Sequence, residues 1–293
     1  MNRKFTPKER AILALTGKIA DYVPTFELGF QIPEELLGKK FIVLDEEKVY
    51  SGKEIEETIR HNARIYVEIA ERLDYSIIML AYAIPGSWGP YTFDMEMEKN
   101  LIKILKVIRE ISKDEYLVIT HNDATYNIPE GNRMEEFVYW LSDHREEAKE
   151  KAEKMVKEGL ERGKRLMDEG FNGFALCADY AFNAGPFLSP KMFSEFVTPY
   201  LFKLVSGLRE MGAYVIKHTD GNIMPIIEQL IACQPHALHS LDPMAGVDIK
   251  EVKEKYGKKV CLIGNVNCAL LQTGTEEEIK ENAEYAIRYG KPG

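Results

Sequence analysis

The sequence is poor in cysteine and in positive charge. Its four cysteines, Cys177, Cys233, Cys261 and Cys268, form no CxxC pair. Scattered thiols in a chain of 293 residues do not make a disulfide scaffold, so a reducing compartment is expected. Lysine and arginine total 38 against 47 acidic residues, a net charge of −9. No stretch is strongly basic, which argues against a nucleic-acid footprint. No apolar run approaches the roughly 20 residues of a membrane helix. No apolar segment follows the charges of MNRKFTPKER, so no signal peptide is expected and a cytoplasmic location is. Internal repeats, low-complexity tracts and domain linkers are absent too. Hydrophobic residues at 45% and charged residues at 29% give a globular balance.

What is present is alternation. Short β-branched or aromatic runs occupy residues 21–26, 75–80, 116–120, 173–178, 213–218, 237–241 and 260–264. Each is too apolar on both sides for an open antiparallel sheet, as strands are when helices cover both faces. Between them lie helical periods. Residues 53–72 place Ile55, Ile59, Ala63, Val67 and Ala70 at spacings of three and four. Residues 144–168 do the same with Ala148, Ala152, Met155, Gly159 and Gly163. Ser189-Pro190 reads as a helix start, and Gly170 and Gly212 as helix ends.

Seven strand–helix units predict an α/β fold. No GxGxxG or GxxxxGK[ST] follows any strand, and polar residues follow nearly every one. Both features favour a (βα)8 barrel over an open doubly wound sheet. The reading is a single domain over 1–293, with a helical segment at 1–20 and the barrel from 21, and an eighth strand expected beyond residue 293.

A parallel barrel gathers its site at the C-terminal ends of its strands. The residues there are Glu27; Tyr82 and Trp88, with Tyr91 and Phe93; His121, Asn122 and Asp123; Asp179, Tyr180 and Asn183; His218, Asp220 and Asn222; Asp242; and Asn265, Asn267 and Cys268. His218 and Asp220 share one face of an extended strand. They make half of a zinc site, to which Glu27, Asp179 or Cys268 would add a ligand; the alternative is a His–Asp hydrogen bond that holds a loop. His121 is a candidate general acid or base, or part of a polar loop capped by Asp123. Asp179 and Tyr180 either anchor a polar substrate or close a turn. The aromatic residues of the Gly- and Pro-rich loop, Trp88 among them, either wall a planar ligand or pack beneath the loop. Lys217 adjoins His218, so regular geometry turns only one of the two inward. Cys177, Cys233 and Cys261 read as core.

Three segments carry a family resemblance. FTPKERAILALTGKIADYVPTFE, the stretch from Ser189 to Leu230 containing KHTDGN, and LIGNVNCALLQTGTEEEI together resemble the uroporphyrinogen decarboxylase superfamily. The resemblance implies a (βα)8 barrel with its site at the C-terminal mouth. One branch decarboxylates porphyrinogens and carries an arginine-rich loop after the first strand. Here that loop reads FELGFQIPEEL, without arginine and with Glu34 and Glu35, a poor match for a polyanionic substrate. The other branch contains corrinoid-dependent methyltransferases that hold zinc through a His-x-Cys pair and a later cysteine. His218 matches that histidine, Asp220 replaces the first cysteine, and the later one is expected beyond residue 293.

The reading implied is a methyltransferase that moves a methyl group between a small molecule and a corrinoid protein carrying cobalamin. Zn2+ would sit on His218, Asp220 and Glu27. His121, Asp179 and Tyr180 would be catalytic, and Tyr82, Trp88 and Asn222 would face the cofactor. The alternatives are a porphyrinogen decarboxylase and a non-catalytic barrel that binds a ligand or corrinoid protein.

Overall fold

The computed structural model describes residues 4–29, 32–43, 48–80 and 95–292. The chain forms two compact units. The first comprises Met1–Leu13, Ala20–His121 and Leu166–Asn172; the second comprises Ala14–Ile19, Asn122–Arg165 and Gly173–Gly293.

The first unit holds most of α1 (Pro7–Leu15), then α2 (Pro33–Leu37), α3 (Gly52–Arg72), β1 (Ile77–Leu80), α4 (Met95–Ser112) and β2 (Leu117–His121). Ser51 opens α3 with a reciprocal cap, accepting from Glu54 N–H while the Glu54 side chain returns to the Ser51 backbone. Ile59, Ala63, Val67 and Ala70 are buried along α3, the face that the spacing predicts. Strands β1 and β2 pair in parallel from Ile77↔Leu117 to Leu80↔Thr120. The strand expected at 21–26 is reduced to one parallel bridge, Thr25↔Tyr75. The local reasons are visible in the chain. Pro24 has no N–H for a ladder, and Asp21 is held to the buried Arg10 at 2.7 Å.

The second unit holds α5 (Arg133–Asp143), α6 (Arg145–Asp168, as far as Arg165), β3 (Gly173–Leu176), a two-residue hairpin β4 (Ala181–Phe182) and β5 (Gly185–Pro186), α7 (Pro190–Phe196), α8 (Thr198–Glu210) and β6 (Tyr214–Thr219). After these come α9 (Ile227–Ala232), β7 (Ala237–Ser240), α10 (Ile249–Tyr256), β8 (Cys261–Leu262), α11 (Cys268–Thr273) and α12 (Glu276–Gly290). Helix α5 has no counterpart in the sequence reading. Ser189 caps α7 through Met192 N–H, with Pro190 in its first turn, as predicted.

Within this unit β6 pairs in parallel with β3 on one side and β7 on the other, and β7 pairs with β8. Helices separate all of these strands in sequence. This is the α/β architecture expected, with strands buried along both faces. The register places Gly173 opposite Tyr214 and His218 opposite His239.

Gly173 fixes the first of these pairings. A Cβ at this position would fall 2.1 Å from the Tyr214 carbonyl oxygen, a backbone atom that cannot swing aside. Gly173→Ala is therefore expected to destabilise the fold by about 2–3 kcal/mol, read as a lower urea midpoint at unchanged slope. A variant with the wild-type midpoint would refute this close approach.

Candidate metal centre

Strand β6 carries two chemistries on its two faces. On one face Lys217 is fully buried. Its ammonium donates to Asp123 Oδ2 at 2.9 Å, to Leu176 O at 3.1 Å and to Ala178 O at 2.8 Å, so each of its three hydrogens has an acceptor. Asp123 also accepts from Ala178 N–H, Thr125 N–H and the Thr125 hydroxyl. Burial pushes the Asp123 carboxyl up. The Lys217 charge and these hydrogen bonds outweigh burial and hold it below its ordinary value. Tyr180 lies against this pair. Its ring sits 4.1 Å from the Lys217 ammonium, and its hydroxyl is 2.5 Å from Thr125 Oγ1. The network pins the chain between Leu176 and Tyr180, where Asp179 projects.

On the other face His218 Nε2 stands 3.8 Å from Asp179 Oδ1 and 3.8 Å from Asp220 Oδ2. One ligand atom from each residue lies within 4.8 Å of the other two. The imidazole is buried, whereas the Asp179 and Asp220 side chains are 48% and 59% exposed. Solvent therefore reaches the centre from the carboxylate side. Desolvation pushes the Asp179 carboxyl up; the neighbouring Asp220 charge adds to this, and the Asp220 N–H, donating at 3.1 Å, opposes it.

The loop after β6 is built to hold this geometry. Gly221 has φ +83°, and a Cβ there would meet Ala181 O at 2.4 Å. Its N–H donates to Asp242 Oδ2 at 3.3 Å. Strand β7 supplies two further contacts. Ser240 Oγ donates to Asp220 Oδ1 at 2.5 Å, and His239 Nδ1 lies 2.7 Å from His218 Nδ1. Desolvation, reinforced by His218, pushes His239 down to about 3, so it is neutral at ordinary pH.

An imidazole nitrogen and two carboxylate oxygens converging on one point form a donor set for a divalent cation. Zinc takes this mixture of nitrogen and oxygen ligands, and borderline first-row ions do as well. The set contains no thiolate. Cys268 is exposed at the start of α11, Cys177 and Cys233 are buried, and Cys261 is half-buried.

The residues singled out in the sequence separate into groups. His218, Asp220 and Asp179 come together. Tyr180 is buried with its hydroxyl engaged by Thr125. Asn222 closes its own turn, accepting from Met224 N–H, and its N–H donates to Phe182 O. Glu27 and His121 belong to the first unit, His121 at the end of β2. Tyr82, Trp88, Tyr91 and Phe93 lie outside the described residues. Asn265 is buried and donates to Leu241 O and Val247 O, and Asn267 caps α11. Sequence reasoning missed His239, Ser240 and the Lys217–Asp123 pair. A signal for His239 was available, since it is a histidine inside an apolar strand run.

The buried pair generates a stability prediction. Lys217→Met leaves the Asp123 charge uncompensated and is expected to cost about 3–5 kcal/mol in urea unfolding at neutral pH. Because the folded-state value of Asp123 is depressed, its contribution is complete above the unfolded value of about 3.9. It is lost as pH falls through that value towards the folded one. Asp123→Asn should flatten that acid slope, and an unchanged slope would contradict the assignment.

Comparison with known proteins agrees with this architecture. A methyltransferase from Methanosarcina mazei has a similar solved structure, with TM-score 0.74 and 19% identity, covering 98% of this chain and 91% of that one. At that identity the likeness establishes the fold. No curated protein matches the chain significantly. A family model described as Uroporphyrinogen decarboxylase (URO-D) matches residues 123–293, more than half of the chain and the part that contains Asp179, His218 and Asp220. The chain belongs to the uroporphyrinogen decarboxylase (URO-D) family.

Proposed function

We propose that this protein is a metal-assisted methyltransferase that moves a methyl group between a small molecule and a corrinoid protein. The observation that carries the reading is the convergence of Asp179, His218 and Asp220 at one solvent-reached point. The likeness in fold to a methyltransferase supports it. The absence of arginine from FELGFQIPEEL weighs against a polycarboxylate substrate.

In this reading His218, Asp179 and Asp220 hold the ion, with zinc the expected occupant. The ion supplies Lewis-acid polarisation of a substrate oxygen. Two oxygen donors leave more positive charge on the metal than thiolates do. The centre is therefore suited to a methoxy or hydroxyl oxygen better than to a thiol.

The chain's own residues do the rest. Ser240 fixes the rotamer of Asp220 through Oδ1 and leaves Oδ2 turned towards His218. The Asp220 N–H fixes Asp179 Oδ1. Tyr180 serves from behind, because its buried phenol, raised well above its ordinary value, holds its proton tightly. The partner protein brings the cobalamin.

Metal analysis tests this directly. Purified protein should take up one equivalent of zinc, and His218→Ala should weaken its affinity by at least about 100-fold, since losing a direct ligand costs more than the 10–100-fold typical of residues that only support one. Removing the metal should abolish methyl transfer to a corrinoid protein. Decarboxylation of uroporphyrinogen by metal-free protein would overturn the proposal.

A further inference from the structure

We infer that His239 is the positioning residue that selects the tautomer of His218, making its Nε2 the metal-binding atom. The inference rests on the metal reading above and adds the residue that prepares the site for it.

The argument is one of proton placement. The two Nδ1 atoms stand 2.7 Å apart, a hydrogen-bond distance, so one of them carries the proton between them. If His239 were the donor, a neutral His218 would keep its own proton on Nε2. That nitrogen is the one 3.8 Å from both Asp179 Oδ1 and Asp220 Oδ2, and a proton there would occupy the position of the ion. If His218 is the donor, Nε2 is bare. Its lone pair then faces two carboxylates, an arrangement that a metal ion or a second proton between them makes favourable. In the second state His239 Nδ1 is the acceptor that holds the proton on His218 Nδ1.

The fold fixes the contact. His218 and His239 are register partners on the parallel strands β6 and β7, and their rings lie 4.9 Å apart at 44°. The next register pair repeats the arrangement: Thr219 is opposite Ser240, whose hydroxyl holds Asp220. Two consecutive residues of β7 thus steady the two ligands that β6 and its following loop provide. A ligating imidazole needs an acceptor for its second N–H, and His239 Nδ1 occupies that position.

The test uses the full chain and zinc alone. Long-range 1H–15N spectra of zinc-loaded wild-type protein should show His218 protonated at Nδ1 and metal-bound at Nε2. His239→Ala should weaken zinc binding by about 10–100-fold. His239→Asn, whose Oδ1 can accept at the same position, should stay within about threefold of wild type, which a merely space-filling role would not produce. Thermal unfolding of both variants identifies any loss of folding, and the wild-type spectrum stands without either of them. Zinc held through His218 Nδ1, or His239→Ala binding as wild type does, overturns the inference while leaving the metal site standing. Wild-type protein that takes up no zinc overturns both.

Discussion

The candidate centre depends on a buried ammonium behind it. Lys217 lies inside the second unit with carbonyls on two sides and the Asp123 carboxylate on the third. A lone charge in that position would be prohibitively expensive, and the three acceptors make it tolerable. Two of those acceptors, Leu176 O and Ala178 O, belong to the end of β3 and the turn after it. The same residues that neutralise the lysine therefore fix where Asp179 emerges. Strand alternation then turns His218, the next residue, to the opposite face. One strand both anchors its neighbour and presents a ligand to it.

Around this anchor the polar groups are arranged in layers. His218 is buried, Asp179 and Asp220 reach solvent, and the loop after β6 is tied to β7 by Ser240 and Asp242. Few of these contacts involve flexible side chains. The groups involved are the Asp220 and Gly221 backbone N–H, the Ser240 hydroxyl and the His239 imidazole, and the last two are placed by strand register. Such a centre requires little reorganisation when a cation arrives, which is the usual condition for a precise metal site.

Much of this was legible in the sequence for definite reasons. Apolar runs bounded by polar residues marked β1, β2, β3, β6, β7 and β8, because parallel strands are covered on both sides. The spacing of His218 and Asp220 placed both on one face, and the structure brings them together with Asp179. The run at 21–26 failed as a strand because a β-rich composition does not reveal that Pro24 and the Arg10–Asp21 pair divert the chain. Helix α5 was missed because its apolar residues, Phe137 to Leu141, form one short continuous run that shows no helical spacing. In the sequence Lys217 shows only as the neighbour of His218. Its pairing with Asp123, 94 positions away, has no local signature. His239 stands out as a histidine in an apolar run, but only the β6–β7 register reveals its contact with His218.

The central claim is that one imidazole and two carboxylates, those of His218, Asp179 and Asp220, hold a divalent ion at the end of β6. X-ray absorption at the zinc edge of the metal-loaded protein measures that shell directly. The account predicts nitrogen and oxygen scatterers near 2.0–2.2 Å, with the outer-ring signal of a single histidine that disappears in His218→Ala. A shell with no histidine signal, or one unchanged in that variant, would contradict it.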